Sequence, residues 1–587
     1  MEKTESVEGV NNVVWKIAGE AGYGIMATGY MFSQLCTRGG LWVFDINEYP
    51  SLIRGGHNTY LVRVADREVY APLRGVTLLA ALNRRAVEAH LEEIVPGGGI
   101  IYDPEETKIR EIAREDVKVY QVPLLGITRE LGVDRIMRNN AALGATLALF
   151  DYDFGLLEDA IKRIFKRKGE KVIQDNLLVA RRGYDHIKEN YDDFGFKLRK
   201  IGSRGRMVLT CNDAAALGAL RAGLKFYAGY PMTPSSSILH YMAAQEQRMK
   251  LVVKHTEDEI SAINMIVGAS IAGVRAMTAT SGGGFCLMSE GYGMAGMVEA
   301  PIVVVVAMRP GPSTGMPTWT SQGDLKFLLS ASQDEFPRIV LAPGDTTQTF
   351  YLTAEAFNLA ERYQTPVIVA LDKYLSESHK TTEKFDQGRV KIERGWLVDE
   401  KEIEELGEEY QCDNFFKRYK FTEDGISPRS IPGQKKGMYC ATSDEHEETG
   451  YVVEGIENRN RIMEKRMKKL EKAARELPPP RLEGDSDAKI TFVGWGSTRG
   501  PILEAMKMLE QNSITASYLQ IIYLNPLHSR EIGEILRGVK RPVLVENNYS
   551  GQLGELIRAK TGFEIKEKIL KYDGRPFFPE EIYERIT

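Results

Sequence analysis

Four stretches of the chain set polar, charged or glycine residues where a strand pattern gives way to a helix pattern. The first is Gly229-Tyr-Pro-Met-Thr-Pro-Ser-Ser-Ser237, with Thr233 held close between Pro231 and Pro234. A helix that follows needs one hydroxyl for its cap and its N-terminus favours an anion, so one serine is expected at the N-cap. Thr233 is then left over for chemistry. The second is Lys254-His-Thr-Glu-Asp-Glu259, ahead of the apolar run Ile260 to Ala272. Acids in a first helical turn suit the helix dipole by themselves. A carboxylate at a helix start beside a strand end is also placed to hold a ring nitrogen.

The third stretch, Thr278-Ala-Thr-Ser-Gly-Gly-Gly-Phe285, lets backbone N–H groups come close to a ligand, although a plain strand-to-helix turn uses glycines too. The fourth, Arg309-Pro-Gly-Pro-Ser-Thr-Gly-Met-Pro-Thr318, directly follows the most apolar strand in the chain. An arginine ending a buried strand must find an anion or water, since an unpaired buried charge costs several kcal/mol. A bidentate hold on a carboxylate, worth roughly 1.5 to 3 kcal/mol, is one solution. A structural salt bridge is the other.

The elements that must position these residues read as a parallel α/β sheet. Strand patterns fall at Lys225 to Ala228, Leu251 to Lys254, Arg275 to Thr280, Pro301 to Met308, Arg338 to Ala342 and Pro366 to Leu371, most of them separated by enough chain for a helix. In such sheets ligands gather beyond the carboxyl ends of the strands, where all four stretches lie.

The rest of the chain divides around this domain. At 587 residues it is too long for one core. We expect a multidomain α/β protein with an N-terminal α/β domain over 1–198, the parallel-sheet domain over 205–385, a charged insertion over 386–484 and a last α/β domain over 485–587. The N-terminal domain opens with Val13 to Ala18, the turn Gly19-Glu-Ala-Gly22-Tyr-Gly24, a helix from Ile25 to Thr37 and a strand from Trp42 to Ile46. Its glycine order, GxxGxG, is not the dinucleotide order, which disfavours NAD even though Asp45 stands where a ribose-binding acid would. In the insertion, Met463, Met467, Leu470, Ala474 and Leu477 mark the apolar face of one helix, read as packing in a solvated insertion or as a partner-binding arm.

Composition narrows the class. Apolar residues make up 43% and charged residues 27%, with a net charge of −5, so there is no electrostatic footprint for nucleic acid or anionic lipid. No run is long enough for a membrane span and the acidic start carries no leader pattern, so a cytoplasmic protein is expected. The five cysteines are scattered with no Cys-x-x-Cys pair, and no metal or cluster site is expected on this chain.

Taken together, YPMTP, HTEDEISAINMIVGASIAGVRAMTATSGGGFCLMSE and RPGPSTGMPT resemble the α subunit of the 2-oxoacid:ferredoxin oxidoreductases, which use thiamine diphosphate. GEAGYGI and EYPSLIRGGHNTYLVRV resemble that family's γ subunit, here fused ahead of α, and VENNYSGQLGELIRAKTG is similar to the family's transketolase-C-like closing domain. The resemblance covers nearly the whole chain. Departures are Met232 and Gly283, where the family usually has Ile and Pro, and Cys211, where glycine is common.

The resemblance implies that the middle domain is the pyrimidine-binding half of a thiamine site. The diphosphate-binding half, with Mg²⁺ and a 4Fe-4S cluster, would sit on a β subunit, and the absence of a Gly-Asp-Gly motif here agrees with that split. It further implies that Glu259 hydrogen-bonds the cofactor's aminopyrimidine, with Ser281 and Gly282 nearby. Thr233, Arg309 and Thr318 would face the 2-oxoacid, with Glu259, Arg309 and Thr233 the catalytic set. By analogy Gly22, Gly24 and Arg54 would meet coenzyme A. The implied reaction is oxidative decarboxylation of a 2-oxoacid to acyl-CoA and CO₂, with electrons passing to ferredoxin, in a dimer of αβ heterodimers. A fused γα chain favours 2-oxoglutarate, with pyruvate or branched-chain 2-oxoacids as alternatives. A non-catalytic assembly subunit is the reading from another class, and the missing Gly-Asp-Gly disfavours a self-contained transketolase-type enzyme.

Overall fold

The computed structural model describes residues 9–52, 55–107, 114–202 and 205–587. It forms two compact units, one of Met1–Thr210 with Glu377–Lys384 and Phe578–Thr587, the other of Cys211–Ser376 with Phe385–Phe577.

The first unit is built on an eight-stranded sheet. Its order is Lys118–Gln121, Ile94–Tyr102, Val76–Ala81, Asn12–Glu20, His57–Ala65, Trp42–Glu48, Lys380–Thr382 and Met207–Leu209. The expected strand, helix and strand at its start are present as Asn12–Glu20, Ile25–Arg38 and Trp42–Glu48. Between the two strands, however, lies His57–Ala65, antiparallel to both. Residues 13–19 of Asn12–Glu20 are all buried, and on one face Trp15 packs on Phe32 at 4.5 Å between ring centroids and donates to Thr146 Oγ1 of the wholly buried helix Arg138–Leu149 at 3.1 Å. Asp45 is fully buried and accepts from Ser33 Oγ at 2.6 Å, Tyr60 OH at 2.8 Å and the His379 backbone N–H at 2.8 Å. Its carboxylate is therefore spent on holding Glu377–Lys384 in the unit, and it has no face for a ribose.

The second unit carries the six expected strands as Phe226–Gly229, Val252–His255, Ala276–Thr280, Val303–Met308, Ile339–Leu341 and Val367–Asp372, all parallel. The spatial order runs Ile339–Leu341, Val367–Asp372, Val303–Met308, Ala276–Thr280, Phe226–Gly229, Val252–His255. From Phe226–Gly229 the chain moves outward to Val252–His255, then returns to the opposite side as Ala276–Thr280. That reversal opens a crevice between the carboxyl ends of Phe226–Gly229 and Ala276–Thr280. A seventh strand, Tyr523–Asn525, pairs antiparallel with Ile339–Leu341 at the edge. The C-terminal part has its own sheet in the order Leu482–Gly484, Ala516–Gln520, Ile490–Gly494, Pro542–Glu546, Glu567–Leu570, all parallel but the first.

The segment between these sheets is tied down by buried charge. The expected helix is there as Ile456–Glu476, but its buried face is Ile462, Lys465, Arg466, Lys469 and Ala473, rotated from the Met463–Leu470 stripe. The reason is Glu299, itself buried, which accepts from Lys465 Nζ at 2.8 and 2.9 Å and from Lys469 Nζ. Burial pushes the Glu299 carboxyl up, yet the two ammonium groups outweigh it and hold the group well below the carboxylate range. Glu361 plays the same part for the preceding loop, accepting from Arg275 Nε at 2.8 Å, Arg394 Nε at 2.8 Å and Arg429 Nη2 at 3.0 Å. Removing one partner of such a cluster leaves buried charge uncompensated. Glu299→Gln is expected to destabilise the second unit by about 3 to 5 kcal/mol, read as a fall in melting temperature with faster proteolysis between residues 386 and 476.

Candidate functional site

Four loops meet at the crevice, and the sequence explains how each side chain is aimed. In the first, the serines do not cap. Ser235 occupies the N-cap of Ser236–Met249 without a capping bond, and its Oγ instead donates to the Met232 carbonyl at 2.8 Å. Asn212, fully buried, donates through Nδ2 to the Pro234 carbonyl and to Ser237 Oγ, both at 2.8 Å. The hydroxyls thus brace a turn that holds the cis Thr233-Pro234 peptide. Asn212 was not singled out from sequence, because its partners lie more than twenty residues on.

In the second loop one acid caps and another is free. Asp258 is the N-cap of Glu259–Ile271 and its Oδ1 accepts from the Ser261 backbone N–H at 2.7 Å. Glu259, the first helical residue, is 2% exposed and turns inward. Its Oε1 is buried with no hydrogen-bond partner among the described residues. Burial raises its carboxyl above the ordinary value. The third loop meets it: a Cβ on Gly284 would lie 2.6 Å from Glu259 Oε1 and 2.0 Å from Thr280 Oγ1, so only glycine fits. Gly283 has open space, with Ser313 O at 3.9 Å and Met232 Cε at 4.0 Å from its notional Cβ. Ser281 Oγ meets Met232 Sδ at 2.7 Å, closing the first loop on the third across the crevice.

The fourth loop brings Arg309. It is half-buried, and burial lowers its pKa while the charge of Asp324 opposes that fall. Its Nη1 donates to the Thr233 carbonyl at 2.8 Å. One of five N–H groups is used this way. Thr318 is buried with an Oγ1 that has no partner among the described residues. The loop's far end is held by the C-terminal part. Gln322, fully buried, accepts from the Asn547 backbone N–H at 2.9 Å through Oε1, donates to the Trp495 carbonyl at 2.8 Å through Nε2, and its carbonyl accepts from Asn548 Nδ2 at 3.0 Å. The Arg575 guanidinium lies 3.4 Å from the Trp319 ring centre.

So the structure gathers Thr233, Glu259, Ser281, Gly282, Arg309 and Thr318 on loops at one end of one sheet. A crevice with a buried, partnerless carboxylate oxygen, a glycine cradle beside it and orphaned hydroxyls fits the aminopyrimidine ring of a thiamine cofactor, which has ring nitrogens and an amino group to fill such positions. Gly22 and Gly24 lie in the other compact unit, both with left-handed backbone, at φ 94° and 76°. Arg54 lies outside the described residues.

Comparison with known proteins gives the family. A family model described as "Pyruvate flavodoxin/ferredoxin oxidoreductase, thiamine diP-bdg" matches residues 217–465, and one described as "Pyruvate ferredoxin/flavodoxin oxidoreductase" matches residues 14–186. The α subunit of a 2-oxoacid:ferredoxin oxidoreductase from Saccharolobus solfataricus is 33% identical over 98% of this chain and 97% of its own length. The chain belongs to the 2-oxoacid:ferredoxin oxidoreductase family. A 2-oxoglutarate synthase subunit KorA from Methanothermobacter thermautotrophicus is 33% identical over 96% of its length but only 64% of this chain, so this family member carries a long stretch that KorA lacks. Among solved structures, the 2-oxoglutarate:ferredoxin oxidoreductase of Magnetococcus marinus, with 2-oxoglutarate, coenzyme A and succinyl-CoA bound, is similar at 32% identity and a TM-score of 0.90, over 98% of this chain and 99% of that one.

Sequence reasoning also passed over Asp324 and Gln322, six and four residues past the motif that ends at Thr318. The signal available was a polar Ser-Gln-Gly-Asp run between apolar residues, which reads equally as a turn. The fit at Gly284 gives a direct check: Gly284→Ala is expected to displace Glu259 and cut turnover on the order of 100-fold, with Gly283→Ala costing far less, measured as kcat of the assembled enzyme.

Proposed function

We propose that this chain is the catalytic γα-type subunit of a CoA-dependent 2-oxoacid:ferredoxin oxidoreductase, with 2-oxoglutarate the favoured substrate. The observation that carries the reading is Glu259: a buried carboxyl with one oxygen left open at the crevice, while the neighbouring Asp258 does the capping. A β subunit would supply the diphosphate-binding half of the site, Mg²⁺ and the 4Fe-4S cluster, with ferredoxin as acceptor and a dimer of αβ heterodimers as the assembly, in the cytoplasm. No helix among the described residues is long and apolar enough to cross a membrane.

Thiamine diphosphate, when bound, supplies a carbon nucleophile and a sink for the electrons left by decarboxylation. The residues of this chain do the positioning. Glu259 would hold a proton against a ring nitrogen of the aminopyrimidine, and burial raises its pKa, the direction that favours keeping that proton. Ser281 and Gly282, at the start of Gly282–Met297, would adjoin that ring. Arg309, with one donor on the Thr233 carbonyl, keeps others for the substrate carboxylate, and the Thr233 and Thr318 hydroxyls, the latter buried without a partner among the described residues, would serve the same substrate. Gly22 and Gly24, with Arg54, are the candidates for the coenzyme A phosphates; among the described residues, its chain neighbours aside, nothing lies within 4 Å of where a Gly22 Cβ would stand.

An exposed apolar surface supports the need for a partner. Ile260 and Met265 on Glu259–Ile271 are 48% and 44% exposed, and Leu287 on Gly282–Met297 is 51% exposed, on the two helices that begin at the site. Apolar exposure of that kind marks an interaction surface.

Glu259→Gln keeps shape and removes the acid. In the enzyme reconstituted with its β subunit, kcat is expected to fall about 100- to 10,000-fold with little change in KM for the 2-oxoacid. Unchanged turnover would instead identify an assembly subunit. Thr233→Val is expected to raise the KM for 2-oxoglutarate severalfold, on the order of 1 kcal/mol for one lost hydrogen bond, in steady-state assays of the same complex.

A further inference from the structure

The strand Pro542–Glu546 leads into three buried polar residues, Glu546, Asn547 and Asn548, none more than 3% exposed. Glu546 is the costly one. Its carboxylate is fully buried, and the groups that bond it are neutral. Oε1 accepts from Trp495 Nε1 at 3.1 Å, from Asn548 Nδ2 at 2.7 Å and from the Leu553 backbone N–H at 3.0 Å, and that last N–H lies 3.0 Å from Oε2 as well. Burying a carboxylate among neutral groups opposes folding, but bonds to an ionised acceptor are about twice as strong as neutral ones. The carboxylate therefore fixes the direction of the groups around it.

Two of those groups go on to hold the loop that follows Arg309. The Trp495 carbonyl accepts from Gln322 Nε2 at 2.8 Å, and Asn548 Nδ2 also donates to the Gln322 carbonyl at 3.0 Å. Glu546, Trp495, Gln322 and Asn548 thus close a ring of hydrogen bonds. Asn548 is kept from turning within it, because its Oδ1 accepts from the Gly551 backbone N–H at 2.8 Å. Asn547 holds the same loop twice over. Its carbonyl accepts from the Gln322 backbone N–H at 2.8 Å, and its own N–H donates to Gln322 Oε1 at 2.9 Å. Its Nδ2 donates to the Arg575 carbonyl at 3.0 Å, and the Arg575 guanidinium covers Trp319 while the Gly574 carbonyl accepts from the Thr320 backbone N–H at 3.0 Å. Every one of these anchors falls within four residues after Thr318. The Thr318 Oγ1 has no partner of its own among the described residues, so the path of the backbone beside it sets where the hydroxyl points.

We propose that Glu546, with Asn547 and Asn548, positions the 2-oxoacid from the C-terminal sheet by fixing the path of the loop that presents Thr318. The inference rests on the reading of Thr318 as a residue that faces the substrate. Glu259 is placed by other contacts, the Asp258 cap and the space left by Gly284. Loosening the ring around Gln322 therefore weakens the hold on the 2-oxoacid and leaves the acid at the aminopyrimidine where it was.

Glu546→Gln tests this in the enzyme reconstituted with its β subunit. An amide has one acceptor oxygen, so whichever way it turns, its NH₂ faces either the Leu553 N–H or the donors of Trp495 and Asn548. KM for 2-oxoglutarate is expected to rise roughly five- to tenfold, with kcat and the thiamine diphosphate concentration for half-maximal activity unchanged. A purely structural role gives the opposite split, because unfolded enzyme lowers the apparent kcat and leaves the KM of the folded remainder as it was. Gln322→Leu, which cuts the ring at the loop, is expected to raise KM to a similar degree. The double variant is expected to go no further than the larger single one, since both act through one ring.

A Glu546→Gln enzyme with wild-type KM, or one whose loss is confined to kcat, overturns the inference, and so do KM effects that multiply in the double variant. If Glu546→Gln fails to assemble, Trp495→Phe takes its place: it lacks the indole donor to Glu546, a rise in KM is expected, and an unchanged KM overturns the inference equally. Thr318→Val separates the two levels. If it leaves KM unchanged, the substrate reading of Thr318 falls and this inference with it; if it raises KM while Glu546→Gln does not, only the role of Glu546 and its neighbours is lost.

Discussion

Glu259 Oε1 sits in the interior with no hydrogen-bond partner among the described residues, an arrangement that costs about 1 to 3 kcal/mol and that the surrounding packing nonetheless maintains. Three features keep it there. Asp258 takes the cap, so Glu259 is not drawn to its own helix end. Gly284 leaves the space a side chain would fill, and Thr280 backs it. The crossover from Phe226–Gly229 outward to Val252–His255 and back to Ala276–Thr280 supplies the crevice into which the oxygen opens.

The other loops serve the same crevice through the backbone more than through charge. Arg309 grips a carbonyl of the first loop, and Ser281 meets Met232 across the gap, so the loops after three different strands are tied to one another. The loop that follows Arg309 is irregular and exposed over Gly311–Met316, and the C-terminal part anchors it again through Arg575 on Trp319, the Thr320 backbone N–H on the Gly574 carbonyl, and Gln322 on Trp495, Asn547 and Asn548. The C-terminal part thus has a definite task in the second unit: it fixes the end of the loop that carries Thr318 and Asp324.

Much of this was legible in the chain. The six parallel strands follow from apolar runs such as Val303–Met308, flanked by turn residues, and the site loops are found at their ends because that is where open α/β sheets bind ligands. What was not legible depended on distant partners. The face of Ile456–Glu476 was misjudged because Lys465 and Lys469 read as solvent residues until Glu299, some 170 positions earlier by the Lys469 pairing, supplies their counter-charge. The antiparallel insertion of His57–Ala65 and the capture of His379 by Asp45 are likewise pairings that no local pattern encodes. Asn212 and Gln322 escaped for the same reason, and the Ser235 cap was expected because local rules favour it over the tertiary bond it makes.

The edge strand Tyr523–Asn525 has a consequence for how the protein comes into being. A ribosome releases residues 226–372, with every strand of the parallel sheet and every loop of the crevice, well before residues 495–548 emerge. Until then the sheet has a bare edge at Ile339–Leu341 and the segment around Gln322 has nothing to grip. A nascent chain at that point holds all the chemistry of the site without its final shape. Maturation is therefore a C-terminal event, and the last hundred residues act in synthesis as an internal checkpoint on a pocket made long before them.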